Sequence, residues 1–283
     1  MSEEPADTPV LREVRGPSAL GGGRRRIWEL LSLIAVSDFR KAYFGTALGY
    51  LWSLARPLML FGVLLAVFTQ VFRVGSGVPN YPVLLLLNIV LFGFFQEATT
   101  IAVQSIVGRE AVVRKTQFPR LVIPLAVVLT TLFNLGLNLV VVFAFIFAWG
   151  IAPGWSWLGL PVIVAALFVL TTAVSMIVSS LYPRFRDTAI IWGVLVTALF
   201  YGTPVLYPLE VVPGTLRNVL EINPLAPLFE LARVWIIDPS APGPVESAGG
   251  PAHLLPAVAV YVTICVFAVW VFRREAPRIA EQL

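Results

Sequence analysis

The sequence contains a single cysteine, Cys265, and a single histidine, His253, among its 283 residues. One cysteine excludes a disulfide bond within the chain, and one histidine excludes a histidine cluster of the kind that binds transition metals. Charged residues are also scarce at 13%, about half the share that is usual in soluble domains. The composition therefore argues against both a disulfide-stabilised secreted domain and a water-soluble enzyme.

A phosphate-binding loop of the form Gly-x-x-x-x-Gly-Lys-Ser/Thr is also missing. The glycines at residues 21–23 are followed by arginine and not by lysine, and no strand is predicted before them. No apolar stretch with a cleavage site follows Arg26, so we expect no cleaved signal peptide. Any nucleotide chemistry is therefore expected to come from another chain.

Long apolar stretches dominate the rest of the sequence, with 58% hydrophobic residues and a mean hydropathy of +0.86. A bilayer core of about 30 Å needs about 20 apolar helical residues to cross it. Six such stretches occur, at about residues 50–72, 82–107, 121–148, 158–181, 188–206 and 255–272. We therefore predict an all-α membrane protein with six transmembrane helices and both termini on one side.

The positions of the basic residues predict the orientation of this bundle, because lysine and arginine favour the cytoplasmic side of the helices that they flank. With the N-terminus inside, seventeen of the twenty basic residues are cytoplasmic. The exceptions are Arg73, Arg217 and Arg233. The net charge of +4 thus reflects membrane topology, and we do not expect nucleic-acid binding.

The chain before the first span divides into two parts. Residues 1–25 lack hydrophobic periodicity and predict a disordered cytoplasmic tail. Residues 26–44 are apolar with a polar edge at Glu29 and Ser32, which predicts a helix lying in the cytoplasmic membrane interface. The alternative is a helix that merely packs on neighbouring spans. The transmembrane domain then covers residues 45–273, and residues 274–283 form a second cytoplasmic tail.

The segment between the fifth and sixth spans is long and rich in proline. Residues 224–237 are mostly apolar but too short to cross a bilayer, and a second short segment, residues 215–222, precedes them. Such half-crossing backbone requires cover by protein or by a water-filled cavity. We predict two short re-entrant helices that cap a passage, followed by a plain loop over residues 238–251.

Polar residues of the second and third spans are expected to form interhelical hydrogen bonds; they are Asn88, Thr130, Thr131, Asn134 and Asn138.

Three other features inside or beside the spans allow two interpretations each. Glu97 is either a functional charge or a hydrogen-bonded group that fixes helix packing. Aromatic residues on or after the fifth span either form an interfacial belt or offer flat faces to sugar rings; they are Trp192, Phe200, Tyr201 and Tyr207. The basic loop at residues 108–119 is either a helix on the cytoplasmic face or simple positive-inside flanking.

Five stretches of the chain carry a family resemblance. They are residues 38–58, 115–120, 185–187, 203–208 and 223–230, with Arg233. They closely resemble, in the same order, the ABC-2 permeases that export polysaccharides such as O-antigen, capsule and teichoic acid. The resemblance covers nearly the whole membrane part of the chain.

The resemblance implies a homodimer that assembles with two copies of a separate ATPase, which binds the ATP and magnesium; this chain itself needs no cofactor. Residues 108–119 would form the coupling helix that contacts the ATPase, through Arg109, Glu110, Arg114, Lys115, Thr116, Gln117, Phe118 and Pro119. The interface helix and entrance would use Trp28, Asp38, Phe39, Arg40, Tyr43, Trp52 and Arg56. The channel and its outer gate would use Glu97, Trp192, Phe200, Tyr201, Tyr207, Asn223, Glu230 and Arg233. Arg56 departs from the uncharged polar residue expected there.

These expectations lead to a function hypothesis with two alternatives. The chain is expected to move a lipid-linked cell-envelope polysaccharide across the bacterial cytoplasmic membrane, since each unpaired hydroxyl costs about 4–8 kcal/mol in a hydrocarbon-like medium. One alternative is export of a small drug or lipid. The other is a membrane glycosyltransferase or polymerase, which the outer acids disfavour because Glu210, Glu221, Glu230, Asp238 and Glu246 show no paired-acid motif.

Overall fold

A computed structural model describes residues 24–44, 49–73, 78–110 and 119–275, and every regular element in these ranges is helical. Ten α-helices occur there: α1 Arg24–Phe44, α2 Gly49–Ala66, α3 Tyr81–Ser105, α4 Val122–Ala148, α5 Leu160–Leu181, α6 Thr188–Tyr201, α7 Gly214–Leu220, α8 Ala226–Ala232, α9 Pro244–Ser247 and α10 Pro251–Glu275. Single π-helical turns extend α2 through Val67–Val71 and α8 through Arg233–Ile237. Short 3₁₀ turns occupy Val107–Arg109, Trp155–Gly159 and Leu209–Val211.

Five of the helical segments are long and apolar enough to cross a membrane. They are Leu51–Val71, Tyr81–Ser105, Val122–Ala148, Trp155–Leu181 and Pro251–Glu275. The prediction of an all-α, multi-pass membrane protein is therefore confirmed. Helix α6, expected to be the fifth span, has only 14 residues, or about 21 Å at 1.5 Å per residue, because the chain turns at Gly202. A sixth crossing therefore remains a prediction.

Helix α3 forms the centre of the bundle and packs against α2, α4, α5 and α6. Nearly three quarters of the most apolar 18-residue stretch of α3 is buried inside the protein. The buried residues include every one from Val83 to Phe92. A helix that is apolar around its whole circumference is stable only where protein or lipid surrounds it on all sides. The leucine-rich start of α3 therefore places it inside the bundle.

Helices α2 and α6 lie at the edge of the bundle and are only partly covered by the other described residues. Phe61 is the one buried side chain of residues 51–71, and Val196 is the one buried residue of α6. Their exposed sides consist mainly of aliphatic residues such as Val63 and Ile190. These sides are covered in the membrane either by lipid or by other protein.

Helix α1 packs along the first half of α4. Leu31 and Ala35 are buried in this contact, and Leu31 lies in a cluster with Val122 and Ala126. Leu33, on the opposite side of α1, and Trp28, near the start of the helix, are both exposed. Helix α1 thus packs on a neighbouring span, as one interpretation requires, and also exposes apolar residues, as a helix in the membrane interface would. Its position in the interface stays a prediction. Of the predicted N-terminal tail, only Arg24 and Arg25 lie within the described residues, as the first residues of α1.

The prediction of a plain loop over residues 238–251 is wrong in one detail, because a short helix, α9, lies within it. The Glu246 carboxylate accepts a hydrogen bond from the Gly243 N–H at 3.3 Å and stabilises the start of this helix. Proline is favourable at the first position of a helix, and both α9 and α10 begin with one. Gly249 and Gly250 have positive φ values of 77° and 145°, which lets the chain reverse between the two helices.

The 3₁₀ turn Trp155–Gly159 packs tightly against the π turn after α8. The Ser156 hydroxyl donates a hydrogen bond of 2.6 Å to the Trp235 carbonyl. A Cβ atom at Gly159 would lie 2.1 Å from Cε3 of the Trp235 ring. Only glycine therefore fits beneath this indole.

We expect Gly159→Ala to lower the free energy of unfolding by about 1–3 kcal/mol, because the added methyl group forces the Trp235 ring to move. The thermal midpoint of the purified protein measures this effect. Gly136→Ala in α4 is the matched control, since a Cβ atom there meets no atom within 4 Å. Equal midpoints for the two variants would contradict this account of the contact.

Candidate functional site

The end of the bundle that carries α1 contains an ion pair between two predicted site residues. Arg109, at the end of the 3₁₀ turn after α3, donates a hydrogen bond to the Asp38 carboxylate of α1. Both side chains are about one quarter exposed, so the pair is expected to contribute less than about 1 kcal/mol to stability. Its geometric effect is larger, because it ties α1 to the chain that leads into residues 111–118.

The other predicted coupling residues are only partly described. Arg114, Lys115, Thr116, Gln117 and Phe118 lie outside the described residues. Pro119 is half-buried, and its carbonyl accepts a hydrogen bond of 2.9 Å from the Val122 N–H, so it begins the turn into α4.

The predicted entrance residues are not brought together within one chain. Phe39 packs edge-on against Phe133 of α4, with ring centroids 5.8 Å apart. Trp28, Arg40, Trp52 and Arg56 are exposed, and the side chain of Tyr43 lies outside the described residues.

Glu97 has a hydrogen-bonding partner on a neighbouring helix. The Asn134 amide of α4 donates a hydrogen bond of 3.2 Å to Glu97 Oε1, and the charge of Arg56 also acts on Glu97. Glu97 is the seventeenth of the 25 residues of α3, just past the middle of the helix on the side toward Arg109. The packing interpretation thus has a structural basis, and a channel role stays a prediction.

The aromatic residues on and after α6 divide into a packed group and an exposed one. The Trp192 indole N–H donates a hydrogen bond of 3.1 Å to the Thr99 hydroxyl. The Phe200 ring meets the Phe92 ring edge-on, with centroids 5.2 Å apart. Tyr201 is 60% exposed, and its carbonyl accepts a hydrogen bond of 2.7 Å from the half-buried Tyr207 hydroxyl. Of this set, only Tyr201 leaves most of its ring free to stack on another molecule.

The opposite end of the bundle is covered by residues 202–250, which we call the cap. Its first part, residues 203–206, is buried but not helical, so its carbonyls need partners within the protein. The Asn88 amide donates hydrogen bonds to the carbonyls of Pro204 at 3.1 Å and Val205 at 3.4 Å. The Tyr81 hydroxyl donates a hydrogen bond of 2.8 Å to the Leu206 carbonyl. Helix α3 thus supports the turn that follows α6.

Asn223 holds the same turn from the other side. Its Nδ2 donates hydrogen bonds to the Gly202 carbonyl at 3.0 Å and to the Thr203 hydroxyl at 2.8 Å. Its Oδ1 accepts a hydrogen bond of 3.0 Å from the Leu225 N–H. One side chain therefore connects the end of α6 to the start of α8.

The cap also contains a cluster of charged residues around Glu230 and Arg233, both of which are buried. The Arg233 guanidinium contacts both carboxylate oxygens of Glu210, at 2.9 Å and 3.5 Å, and Arg217 contacts Glu221 at 3.0 Å. Burial raises the pKa of Glu230; the Leu209 N–H, which donates to it at 3.3 Å, and the charge of Arg233 oppose this effect.

Sequence reasoning identified Glu230, Arg233 and Asn223 but missed their partners. The spacing of Arg217 and Glu221 by four residues was a readable signal for a helical ion pair. Nothing in the sequence pairs Glu210 with Arg233, or Asp38 with Arg109, because these contacts depend on how distant segments pack. Within the described ranges, no three His, Cys, Asp or Glu side chains lie close enough to share a metal ion.

We expect Asn223→Ala to destabilise the protein by about 1–3 kcal/mol, because it removes the partners of Thr203 and of the Gly202 carbonyl. Asn218→Ala is the matched control, since Asn218 is an exposed asparagine five residues away. Thermal unfolding of both purified variants measures the difference. An unchanged midpoint in Asn223→Ala would show that water replaces these hydrogen bonds.

Comparison with known proteins places this architecture in a family. Residues 29–237 match the family model of the ABC-2 type transporter, which covers about three quarters of the chain. An O-antigen export system permease protein, RfbA, of Klebsiella pneumoniae is 32% identical over 204 residues, which are 72% of this chain and 78% of that protein. The protein of the same name from Myxococcus xanthus is 28% identical over 248 residues, which are 87% of this chain and 92% of that protein. The chain therefore belongs to the ABC-2 type transporter family.

Proposed function

We propose that this protein is the transmembrane subunit of an ATP-driven exporter that moves a lipid-linked cell-envelope polysaccharide across the cytoplasmic membrane. The observation that carries the proposal is the similarity to O-antigen export permeases, which extends over most of both chains. A polymer with several hydroxyls per sugar does not cross lipid unaided, because each unpaired hydroxyl costs about 4–8 kcal/mol. A protein-lined passage is therefore required.

The orientation that we propose places both termini and α1 in the cytoplasm and the cap outside. It is supported by the distribution of basic residues, of which all but three then lie on the cytoplasmic side. It also requires α6 to cross the membrane together with the turn at residues 202–206. The burial of this turn among Asn88, Tyr81 and Asn223 supports such a crossing, since irregular backbone at membrane depth needs protein cover.

We propose that two copies of the chain form the passage around a twofold axis, the commonest symmetry of homo-oligomers. The uncovered sides of α2 and α6 support this arrangement. Arg56 is exposed on α2, within an apolar span, and a charge facing lipid is costly. A second copy would cover this side of α2 or enclose water around Arg56.

The ATPase contact that we propose lies at the α1 end of the bundle. ATP and magnesium bind to a separate ATPase, and residues 108–119 contact it, including the predicted coupling residues Arg114 to Phe118. The Asp38–Arg109 pair would then transmit a displacement of this segment to α1, and through the α1–α4 contact to the bundle. The opposite end responds through the cap, which acts as the outer gate.

The test of this assignment is co-expression with the ATPase encoded beside the permease, followed by purification. We expect a complex of two permeases and two ATPases. We expect Phe118→Ala and Arg114→Glu to lower ATP turnover or weaken assembly, because they change the proposed contact. Mass photometry and a phosphate-release assay measure the two quantities. A permease that purifies without any ATPase would overturn the assignment.

A charge exchange tests the role of Asp38 and Arg109 in this coupling. We expect Asp38→Arg and Arg109→Asp each to lower ATP-driven export several-fold, because each places two like charges in contact. The double variant restores the ion pair in reverse and should recover most of the activity. Arg184→Asp, at an exposed position in another turn, controls for general effects of charge. A double variant as impaired as the single ones would show that the pair does not transmit motion.

A further inference from the structure

A small cavity lies inside the cap, between α7, α8, α9 and the start of α10. The volume that the centre of a water-sized sphere can reach inside it is about 10 Å³. This is space for about one water molecule. Among the described residues that line it, Glu221 and Glu230 carry charged side chains and the other six are apolar: Leu209, Ala226, Pro227, Pro244, Ala248 and Leu254. The cavity is therefore too small and too apolar to surround a hydrated metal ion with oxygen ligands.

Glu230, which lines this cavity, has one carboxylate oxygen without a hydrogen-bonding partner among the described residues. Its side chain is 97% buried, since the residue is only 3% exposed. Oε1 accepts the hydrogen bond from the Leu209 N–H at 3.3 Å. Oε2 is buried and has no hydrogen-bonding partner among the described residues. A buried ionised carboxylate left in this state is costly, whereas a neutral carboxylic acid is far less so.

The charges around the cavity leave Glu230 without a cation of its own. Three carboxylates, those of Glu210, Glu221 and Glu230, face two guanidinium groups. Arg233 contacts Glu210, and Arg217 contacts Glu221. The cluster therefore carries one excess negative charge when all three acids are ionised, and one proton neutralises it.

The other elements packed against α8 add no ionisable group that compensates Glu230. Helix α5 contains no ionisable side chain over Leu160–Leu181. Glu246 of α9 is exposed and accepts a hydrogen bond from the Gly243 N–H. His253, near the start of α10, is exposed to solvent. The charges that act on Glu230 are those of Arg233, Glu210 and Arg217.

We propose that Glu230 is a proton-binding site of the cap and that its protonated form holds the cap segments together. A neutral Glu230 keeps its contact with Leu209 and removes the excess charge from the apolar cavity. Ionised Glu230 instead draws water into the cavity, which separates α8 from α7 and α9. The cap thus opens more readily when Glu230 loses its proton.

The direction of the pH dependence follows from the pKa of Glu230, which burial raises above its ordinary value. A group whose pKa is raised in the closed state stabilises that state fully only below the ordinary pKa of the group, and this contribution is lost as the pH rises from there through the raised pKa. The closed cap is therefore favoured at acidic external pH and weakened at neutral or alkaline pH. The link to export rests on the proposed function, whereas the closure of the cap does not.

Hydrogen–deuterium exchange of the full chain in lipid nanodiscs tests the proposal without measuring transport. Wild type, Glu230→Gln and Glu246→Gln are compared at pH 5 and at pH 8, so that at each pH the intrinsic exchange rates are nearly the same. Glutamine imitates the neutral acid at nearly constant shape. Glu246→Gln is the matched control, because it also removes a cap carboxylate but at an exposed position.

At pH 5, just above the ordinary pKa of a glutamate, we expect the cap peptides over residues 209–237 of wild type to exchange within about fivefold of the rate in Glu230→Gln. At pH 8 wild type and Glu246→Gln should exchange about tenfold faster than Glu230→Gln for each unit by which the pKa is raised. Equal protection of wild type and Glu230→Gln at both pH values would overturn the proposal.

A second measurement applies if Glu230→Gln does not yield folded protein. The wild-type cap peptides are then followed from pH 5 to pH 8, with the intrinsic rates divided out. Protection that falls with rising pH in the cap, but not in α3, supports a proton-binding site. Protection that is constant or rises would overturn it. If the protection of the cap peptides depends on pH as expected but the wild-type complex transports no polysaccharide, the result would count against the proposed function and not against the proton-binding site.

Discussion

The cap depends on hydrogen bonds to peptide groups that an apolar bundle cannot otherwise satisfy. Helix α6 ends at Tyr201, and the next residues are buried without being helical. In such surroundings each unpaired carbonyl or N–H costs about 1–3 kcal/mol. Asn88 and Tyr81 on α3 and Asn223 before α8 meet this need. Helix α6, the turn after it and the start of α8 therefore hold together as one unit supported by the central helix α3.

The two ends of the molecule differ in how their charges are held. At the α1 end, Asp38 and Arg109 are partly exposed and lie on separate elements, so they can move together at small cost. In the cap, Arg233 is buried and contacts both carboxylate oxygens of Glu210, and a two-point contact of this kind holds its partners more firmly than a single one. A loosely held junction at one end and a tightly held cluster at the other suit the proposed function, in which an ATPase displaces the α1 end and the cap resists until it is displaced.

Much of this architecture was predictable from the sequence, because apolar length and proline positions act locally. The observed bounds of α3 and α4 lie within two residues of those predicted from runs of apolar residues, and helices α7 and α8 follow from short apolar segments in the proline-rich part of the chain. The length of α6 was overestimated, since residues 202–206 are apolar enough to continue a span but fold into a turn held by Asn88. The pairing of Glu210 with Arg233, and the cavity shared by Glu221 and Glu230, depend on tertiary packing and leave no sequence pattern. The family resemblance supplied the identity of Asn223 and Glu230 as site residues but not their partners.

The central claim is that this chain provides the passage for a polysaccharide, and transport by the purified complex tests it most directly. The permease and its ATPase are reconstituted into liposomes that carry a lipid-linked polysaccharide on the ATPase side, and the polymer on the opposite side is detected with a glycan-cleaving enzyme. The account predicts that polymer reaches the opposite side only when ATP, the ATPase and this chain are all present. Polymer that crosses equally well without this chain, or does not cross with the complete and ATP-hydrolysing complex, would contradict it.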